Sequence, residues 1–398
     1  MGKYQNVTRR DAIHNLTLFL AGSPLLAQQS GNAQQAGDPK QETPSLEEMI
    51  NVFDFEPVFK ANTKKAAYDY VRGGGWDEWT LRRNREAFGK VTLRPRYLRE
   101  VAELDLSTTL FGKKLSMPIF VAPTGTHGVV HPDGEPLTAR GAGAADAVMV
   151  VSTSSSYPID QIAAAATGPL WFQLYAGPDV AGTRERVDRA LAAGCEAICF
   201  TVDAPYAAPR ERDFRNRLSR PTNQRPSNPR RRRRGKTTSS YGLEPRLLAY
   251  LNWEFFGQLR GWTNVPLLVK GILTPEDAKL AVEHGADGVV VSNHGGRYLD
   301  SVPSTIEVLP EIIDQIGGRV PVLIDSGFRR GTDILKALAI GASAVLVGRP
   351  PLWGLGAFGD IGVQRVLEIL TKELAWAMGL AGRPNIASID SSLVRIEK

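Results

Sequence analysis

The sequence predicts a closed (β/α)8 TIM barrel with an N-terminal helical and hairpin extension and a long loop after the fourth strand. Three observations carry this. From Pro118 onward one unit repeats eight times: a short apolar run ending in polar residues or glycine, then an alanine-rich amphipathic segment. The runs are continuously apolar rather than alternating, as strands buried on both faces of a parallel sheet are. The length of 398 residues accommodates one barrel of about 250 residues with attachments, and eight units favour closure over an open doubly wound sheet.

In order, the runs are PIFVAPTG (118–125), AVMVVSTS (147–154), LWFQLYAG (170–177), EAICFTVDAP (196–205), PLLVKG (266–271), GVVVSNHGG (288–296), PVLIDSG (321–327) and AVLVGRP (344–350). Between them, ARGAGAADA, TRERVDRALAAG, PEDAKLAVEHG and GTDILKALAIG space apolar residues near a period of 3.6. The last three end in glycine, a helix-stop signal. The interval after the fourth run, about 206–265, is far longer than the others and reads as a long loop 4, partly disordered and suited to a lid.

The ends of the chain differ from the barrel. Residues 1 to about 45 read as a leader: Arg9-Arg10, an apolar stretch from Leu16 to Ala27, then polar residues. That order is a signal-peptide pattern too short to span a membrane, and adjacent arginines suggest export by the twin-arginine route. The remainder, 46–398, reads as one catalytic domain, with barrel strands over about 118–350. Hydrophobic residues at 42 % and charged residues at 23 % exclude a disordered chain. The formal net charge is +6, and Arg230 to Arg234 supply five positive charges, so the rest is nearly neutral. No aromatic residue interleaves with that run, which therefore lacks the stacking half of a single-strand nucleic-acid site. Cys195 and Cys199, the two cysteines, lie too far apart along a strand to bridge and read as buried thiols. The five histidines show no metal-ligand spacing.

Active sites of this fold sit at the carboxyl ends of the strands. The eight tips carry Thr124, Ser152, Gln173 with Tyr175, Thr201 with Asp203, Lys270, Ser292 with His294, Asp325 and Arg349. The loops DSGFRRG (325–331) and GRP (348–350) place glycines, backbone amides, Arg329 and Arg349 where barrels commonly hold phosphate. Ser152, Gln173, Thr201 and Lys270 suit the edge of a planar heteroaromatic ring, the lysine meeting negative charge that develops there. A Rossmann dinucleotide site is not expected, because no Gly-x-Gly-x-x-Gly follows a strand. His294 is a candidate general base, Asp203 could tune it, and Arg210 with Arg297 could clasp a carboxylate.

On these residues the chain resembles the FMN-dependent L-2-hydroxy acid oxidases and dehydrogenases, the family of glycolate oxidase, L-lactate oxidase and mandelate dehydrogenase. The resemblance runs from about Phe53 to Ile389 through YDYVRGG…DEWTLRRN, APTG, WFQLYAG, TVDAP, RERD, LLVKG, VSNHGGRYLD, DSGFRRGTD and VGRP. It implies that His294 is the base and Asp203 its partner. Arg210 and Arg297 would bind the substrate carboxylate, with Tyr70 and Tyr175 on the carboxylate and hydroxyl. Pro123, Thr124, Gly125, Ser152, Gln173, Thr201, Lys270 and Ser292 would surround the flavin. Asp325, Gly327, Arg329, Gly348 and Arg349 would hold its ribityl phosphate. Two electrons would pass from C2 to FMN, as a hydride or through a carbanion, and then to oxygen, a quinone or a cytochrome. A homo-oligomer, by resemblance a tetramer, is expected.

Local features, among them APTGTHG, IDSG and PLWGLGAFG, look closest to the lactate oxidase branch, which implies a small lactate-like substrate. Two departures bear on this: Ser154 stands where the family often has a large aromatic, and Gly125 where many oxidases have alanine. A third is Pro209, in place of the second arginine often seen near Arg210. Two other readings remain at the level of sequence. One is another FMN barrel, such as a relative of isopentenyl-diphosphate isomerase, which the Arg210–Arg297 pair disfavours. The other is a non-catalytic anion binder using the arginine run.

Overall fold

Short runs of Val, Ile, Leu and Phe bounded by glycine and polar residues form eight strands. They are β4 (Ile119–Val121), β5 (Met149–Ser152), β6 (Leu170–Leu174), β7 (Ile198–Thr201), β8 (Leu267–Ile272), β9 (Gly288–Val291), β10 (Val322–Ile324) and β11 (Ala344–Val347). They close into a parallel barrel in the order β10-β11-β4-β5-β6-β7-β8-β9, with β9 pairing β10. The computed structural model describes residues 44–177, 179–216 and 252–397. The leader, with its expected export signal, and the part of loop 4 holding the arginine run and the expected lid lie outside these residues.

The period of two along each strand divides the barrel core in two. Ile119, Val121, Met149, Val151, Phe172, Phe200, Val289 and Val291 face the surrounding helices. Phe120, Val150, Trp171, Cys199, Leu268, Val290, Leu323 and Leu346 fill the interior. The amino end of the barrel is closed by the hairpin β2 (Thr108–Leu110) and β3 (Lys113–Leu115), joined through Phe111 and Gly112, both at positive φ. Leu110 joins the interior cluster, and the Phe111 ring lies 5.8 Å from that of Trp171.

Each strand is followed by helix: α4 (Gly134–Ala144), α5 (Ile159–Ala165), α6 (Val180–Ala192), α7 (Glu211–Arg215) with α8 (Trp253–Arg260), α9 (Pro275–Glu283), α10 (Thr305–Ile316), α11 (Gly331–Ile340) and α12 (Arg349–Leu380). The last is bent at Phe358 and Gly359. The described ends of the long interval 206–265 therefore hold two helices, α7 and α8. Asn252 caps α8 by accepting from Phe255 N at 2.8 Å. Phe255 and Phe256 pack on Phe200 of β7, with ring centroids 5.9 and 6.2 Å away, so α8 completes the fourth unit. Cys195 precedes β7 rather than lying in it; both thiols are buried and free, and burial pushes each up to about 12.

Ahead of the barrel run α1 (Phe55–Asn62), α2 (Lys65–Arg72), α3 (Trp79–Glu86) and β1 (Val91–Leu93). β1 pairs antiparallel with β12 (Val394–Ile396), Val91 opposite Ile396, which ties the extension to the C-terminal segment. Among the described residues no helix is long and apolar enough to cross a membrane.

Candidate active site

The interior face of the barrel changes character at its carboxyl end. The inward positions that carry Val150, Trp171, Cys199, Leu268, Val290 and Leu323 continue two residues later as Ser152, Gln173, Thr201, Lys270, Ser292 and Asp325. Pairing registers set Ser152 beside Gln173 and Thr201 beside Lys270. Ser152 Oγ donates to Gln173 Oε1 at 3.0 Å, and Gln173 Nε2 donates to Thr201 Oγ1 at 3.0 Å. Lys270 Nζ lies 3.1 Å from Asp325 Oδ2 and donates to Ser292 Oγ at 2.8 Å. Burial works against the ammonium, but Asp325 and Asp203 outweigh it and raise its pKa. Asp325 thus sits on the lysine. Ser326 Oγ donates to its other oxygen at 2.7 Å, so Asp325 links Lys270 to the loop after β10.

β8 has a register irregularity at Gly271 (φ +110). A side chain there would lie 2.6 Å from Asp203 Cβ, so only glycine lets the strand pass beneath that residue. Asp203 Oδ1 receives His294 Nδ1 at 2.8 Å, and the two side chains are 13 and 17 % exposed. A carboxylate on Nδ1 fixes the proton there and leaves Nε2 with its lone pair. Tyr175 Oη lies 3.1 Å from Nε2. Burial lowers the imidazole's pKa although Asp203 opposes this, so the ring is neutral under ordinary conditions. Burial disfavours the Asp203 carboxylate, but His294 and Lys270 prevail and lower its pKa. Burial and neighbouring Tyr298 and Asp203 hold the Tyr175 phenol well above its usual value, so it stays a donor.

The two arginines expected at a substrate carboxylate come from different elements. Arg297 follows the histidine turn, and Arg210 caps α7. Their guanidiniums lie 5.0 and 5.1 Å from the Tyr70 ring centroid, so the tyrosine is brought to both. Arg210 Nε is held by Asp213 at 2.7 Å. Arg297 donates to the carbonyls of Tyr70 (2.7 Å) and Gly73 (3.0 Å), and Arg349 to those of Val71 (2.9 Å), Gly73 (2.8 Å) and Gly295 (3.0 Å). The end of α2 thereby offers its unsatisfied carbonyls to two cations. Arg329 is buried, lies over the Trp353 ring at 4.6 Å, and is lowered to about 9 by burial and by Arg85. Burial and Arg210 lower Arg297, and burial with Arg297 and Arg329 lowers Arg349. Among the described residues none of these three has a carboxylate within ion-pair distance. Enclosed cations without counter-ions are costly unless an anionic ligand completes them.

The remaining wall is the loop after β4. Pro123, Thr124 and Gly125 are part-buried there, and Gly348, which caps α12, stands beside the Thr124 methyl. Gly327, at φ +92, packs on the Asn84 backbone. A Cβ on Gly125 would come within 2.9 Å of Ser154 Cβ, so the two sequence departures touch. Three contributors were not singled out from sequence. The Tyr298 ring stands edge-on to His294 at 4.5 Å, and the Asn84 and Asn293 amides bond reciprocally beneath the histidine turn. Each falls inside a segment quoted above, but nothing in its residue type marks it as facing the mouth.

A polar layer for a ring edge, an enclosed lysine at that layer, and unneutralised Arg329 and Arg349 beside the glycines of the last two loops fit a flavin mononucleotide. Among the described residues no cluster of His, Cys, Asp and Glu could hold a metal ion. The profile of the FMN-dependent dehydrogenase family matches residues 59–396. Glycolate oxidase 3 of Arabidopsis thaliana is 41 % identical over 356 residues, covering 88 % of this chain and 97 % of its own. Glycolate oxidase 1 of Zea mays is 42 % identical over 350 residues, covering 86 % and 94 %. A crystal structure of mandelate oxidase with (S)-2-phenylpropionate superposes with TM-score 0.78 at 39 % identity, covering 87 % of this chain and 99 % of that one. These relatives do not single out the lactate oxidase branch. They and the geometry agree on the wider group: the chain belongs to the FMN-dependent dehydrogenase family, as an oxidoreductase that draws electrons from a CH–OH carbon into FMN.

Proposed function

We propose that the protein oxidises a short L-2-hydroxy acid, lactate-like in size, to its 2-oxo acid. The observation that carries this reading is the pairing, at one mouth, of a neutral imidazole whose Nε2 keeps its lone pair, facing Tyr175 Oη, with the Arg297 guanidinium, which among the described residues has no carboxylate within ion-pair distance. Arg297 and Arg210 take the substrate carboxylate. That anchors C2 so that its hydroxyl reaches His294 Nε2, where Tyr175 Oη already marks a hydrogen-bond position. As the proton arrives, Asp203 balances the imidazolium. FMN, when bound, would accept the C2 hydrogen together with its two electrons, so that the hydroxyl proton goes to His294 and the C2 hydrogen to the flavin. Lys270 supplies positive charge at the ring edge throughout.

The short chain is supported by the contact between Gly125 and Ser154. The loss of a large residue at Ser154 opens the wall, but Thr126 N donates to Ser154 O at 3.0 Å and draws the two loops together. The twin-arginine pattern supports export, and the family resemblance supports a tetramer, for which exposed Tyr97, Leu98, Trp376 and Leu380 are available surface. Anaerobic mixing of the FMN-loaded protein with L-lactate, D-lactate, glycolate and mandelate tests the reading. Flavin bleaching should be fastest with L-lactate and absent with D-lactate. Protein that stays colourless after FMN is added would end it, and faster bleaching by mandelate would reject the short chain.

A further inference from the structure

His294, Gly295 and Gly296 occupy the left-handed region in succession, at φ 58, 68 and 70. For a histidine that conformation costs about 1 kcal/mol, and it persists only where its surroundings hold it. Several bonds do so. Ser292 Oγ accepts from His294 N at 3.0 Å, Ser326 Oγ from Gly295 N at 3.0 Å, and Gly75 N donates to Gly296 O at 2.9 Å. The buried hold is Asn293: Gly296 N donates both to its carbonyl oxygen at 3.0 Å and to its Oδ1 at 3.1 Å, so the side chain braces a turn that the backbone closes across His294.

Asn293 is itself held from far away in sequence. Asn84 Nδ2 donates to its Oδ1 at 2.9 Å, and its Nδ2 donates to Asn84 Oδ1 at 2.7 Å and to Pro303 O at 3.2 Å. The Gly296 and Pro303 bonds determine which end of the Asn293 amide is oxygen, which in turn determines the orientation of Asn84. Only a primary amide both donates and accepts in that arrangement. Asn84 is 1 % exposed and sits on α3, which is fixed by its own contacts with the same loop. Trp79 N and Thr80 N donate to Asp300 at 3.1 and 2.7 Å, and a side chain on Gly296 would strike Leu81 N at 2.6 Å.

We propose that Asn84, which lies behind the turn on α3, is a positioning residue for the reaction: through Asn293 it holds the left-handed turn that aims His294 between Asp203 and Tyr175. The proposal rests on His294 being the base. The amide pair acts on direction rather than on binding. Removing it should cost turnover while the arginines keep substrate and cofactor, since Arg297 is held on the carbonyls of Tyr70 and Gly73, and Arg349 on those of Val71 and Gly73 in addition to Gly295 of the turn.

The experiment uses FMN-loaded Asn84→Ala and, in case the cavity unfolds it, the near-isosteric Asn84→Asp, which keeps the acceptor and loses the donor. Anaerobic flavin reduction by L-lactate is followed with pH, beside FMN affinity and the affinity for a non-reacting dicarboxylate such as oxalate. A misaimed base predicts a fall in reduction rate of about 10²-fold. It also predicts affinities within about threefold and an acid limb displaced to lower pH as His294 loosens from the Asp203 charge that raises its pKa. Asn293→Ala should be as slow, and the double variant no slower. A reduction rate and pH limb like those of the parent, a defect no larger than the fraction of FMN lost, or additive effects of the two alanines would each overturn the proposal. A His294→Gln variant separates the two levels. If it still reduces flavin, the base assignment itself has failed; if it does not and Asn84→Ala is unaffected, only the positioning role has.

Discussion

The two nitrogens of His294 face different partners: Nδ1 gives its proton to Asp203, and Nε2 looks toward the mouth. As the proposed base it would act only when neutral, and burial lowers its pKa below the usual histidine value of about 6.5. Turnover should therefore persist as pH falls through 6.5 and fall away only at more acid pH, measured as kcat/KM for L-lactate. An acid limb above 6.5 would contradict the direction. His294→Gln should keep FMN but slow flavin reduction by about 10²–10⁴-fold, read by stopped flow. His294, Lys270 and Asp203 were legible in the sequence because each ends a recognisable apolar run, and a strand tip in this fold is an address. Asn84 was not legible, because a buried asparagine on a helix looks like any other polar residue until its partner, 209 positions on, is brought to it.

At the level of elements, the strands were readable because continuous apolar runs have few other uses at that length. The helix α8 was not, since it is short and lies in an interval otherwise polar and proline-rich. The bulge in β8 was equally invisible: Gly271 reads as the end of a run, yet the strand continues to Ile272 around it. Gly271→Ala combines a positive φ with a Cβ 2.6 Å from Asp203 Cβ. It should destabilise the protein by about 2 kcal/mol and slow flavin reduction by displacing Asp203 from His294. A melting temperature and reduction rate matching those of the parent would show that the bulge relaxes freely. The helix α3 works in the opposite sense, as a rigid brace. Thr80 and Asn84 hold the histidine loop, while Arg85 reaches the Gly327 carbonyl in the loop after β10 and Asp333 in the first turn of α11.

Across the whole molecule, the sequence established that the net positive charge lies mostly in one run and that a few arginines belong to the mouth. It could not show that Arg297, Arg329 and Arg349 would be enclosed with no carboxylate at ion-pair distance among the described residues, because enclosure is a property of the assembled fold. FMN phosphate should then contribute to stability as well as to chemistry. Stripping the cofactor should lower the melting temperature. Adding it back at a hundred times its Kd should restore about 2.7 kcal/mol, and inorganic phosphate part of that. Calorimetry of the apo and loaded forms checks this, and equal melting temperatures would mean that the arginines carry no such burden. One further consequence follows from the Gly73 carbonyl, which accepts from both Arg297 and Arg349. A lineage that remodels the carboxylate clasp also disturbs the grip on its own prosthetic group. At Gly125 and Ser154 a change of size has to be paired, because a Cβ on Gly125 would already lie 2.9 Å from Ser154 Cβ.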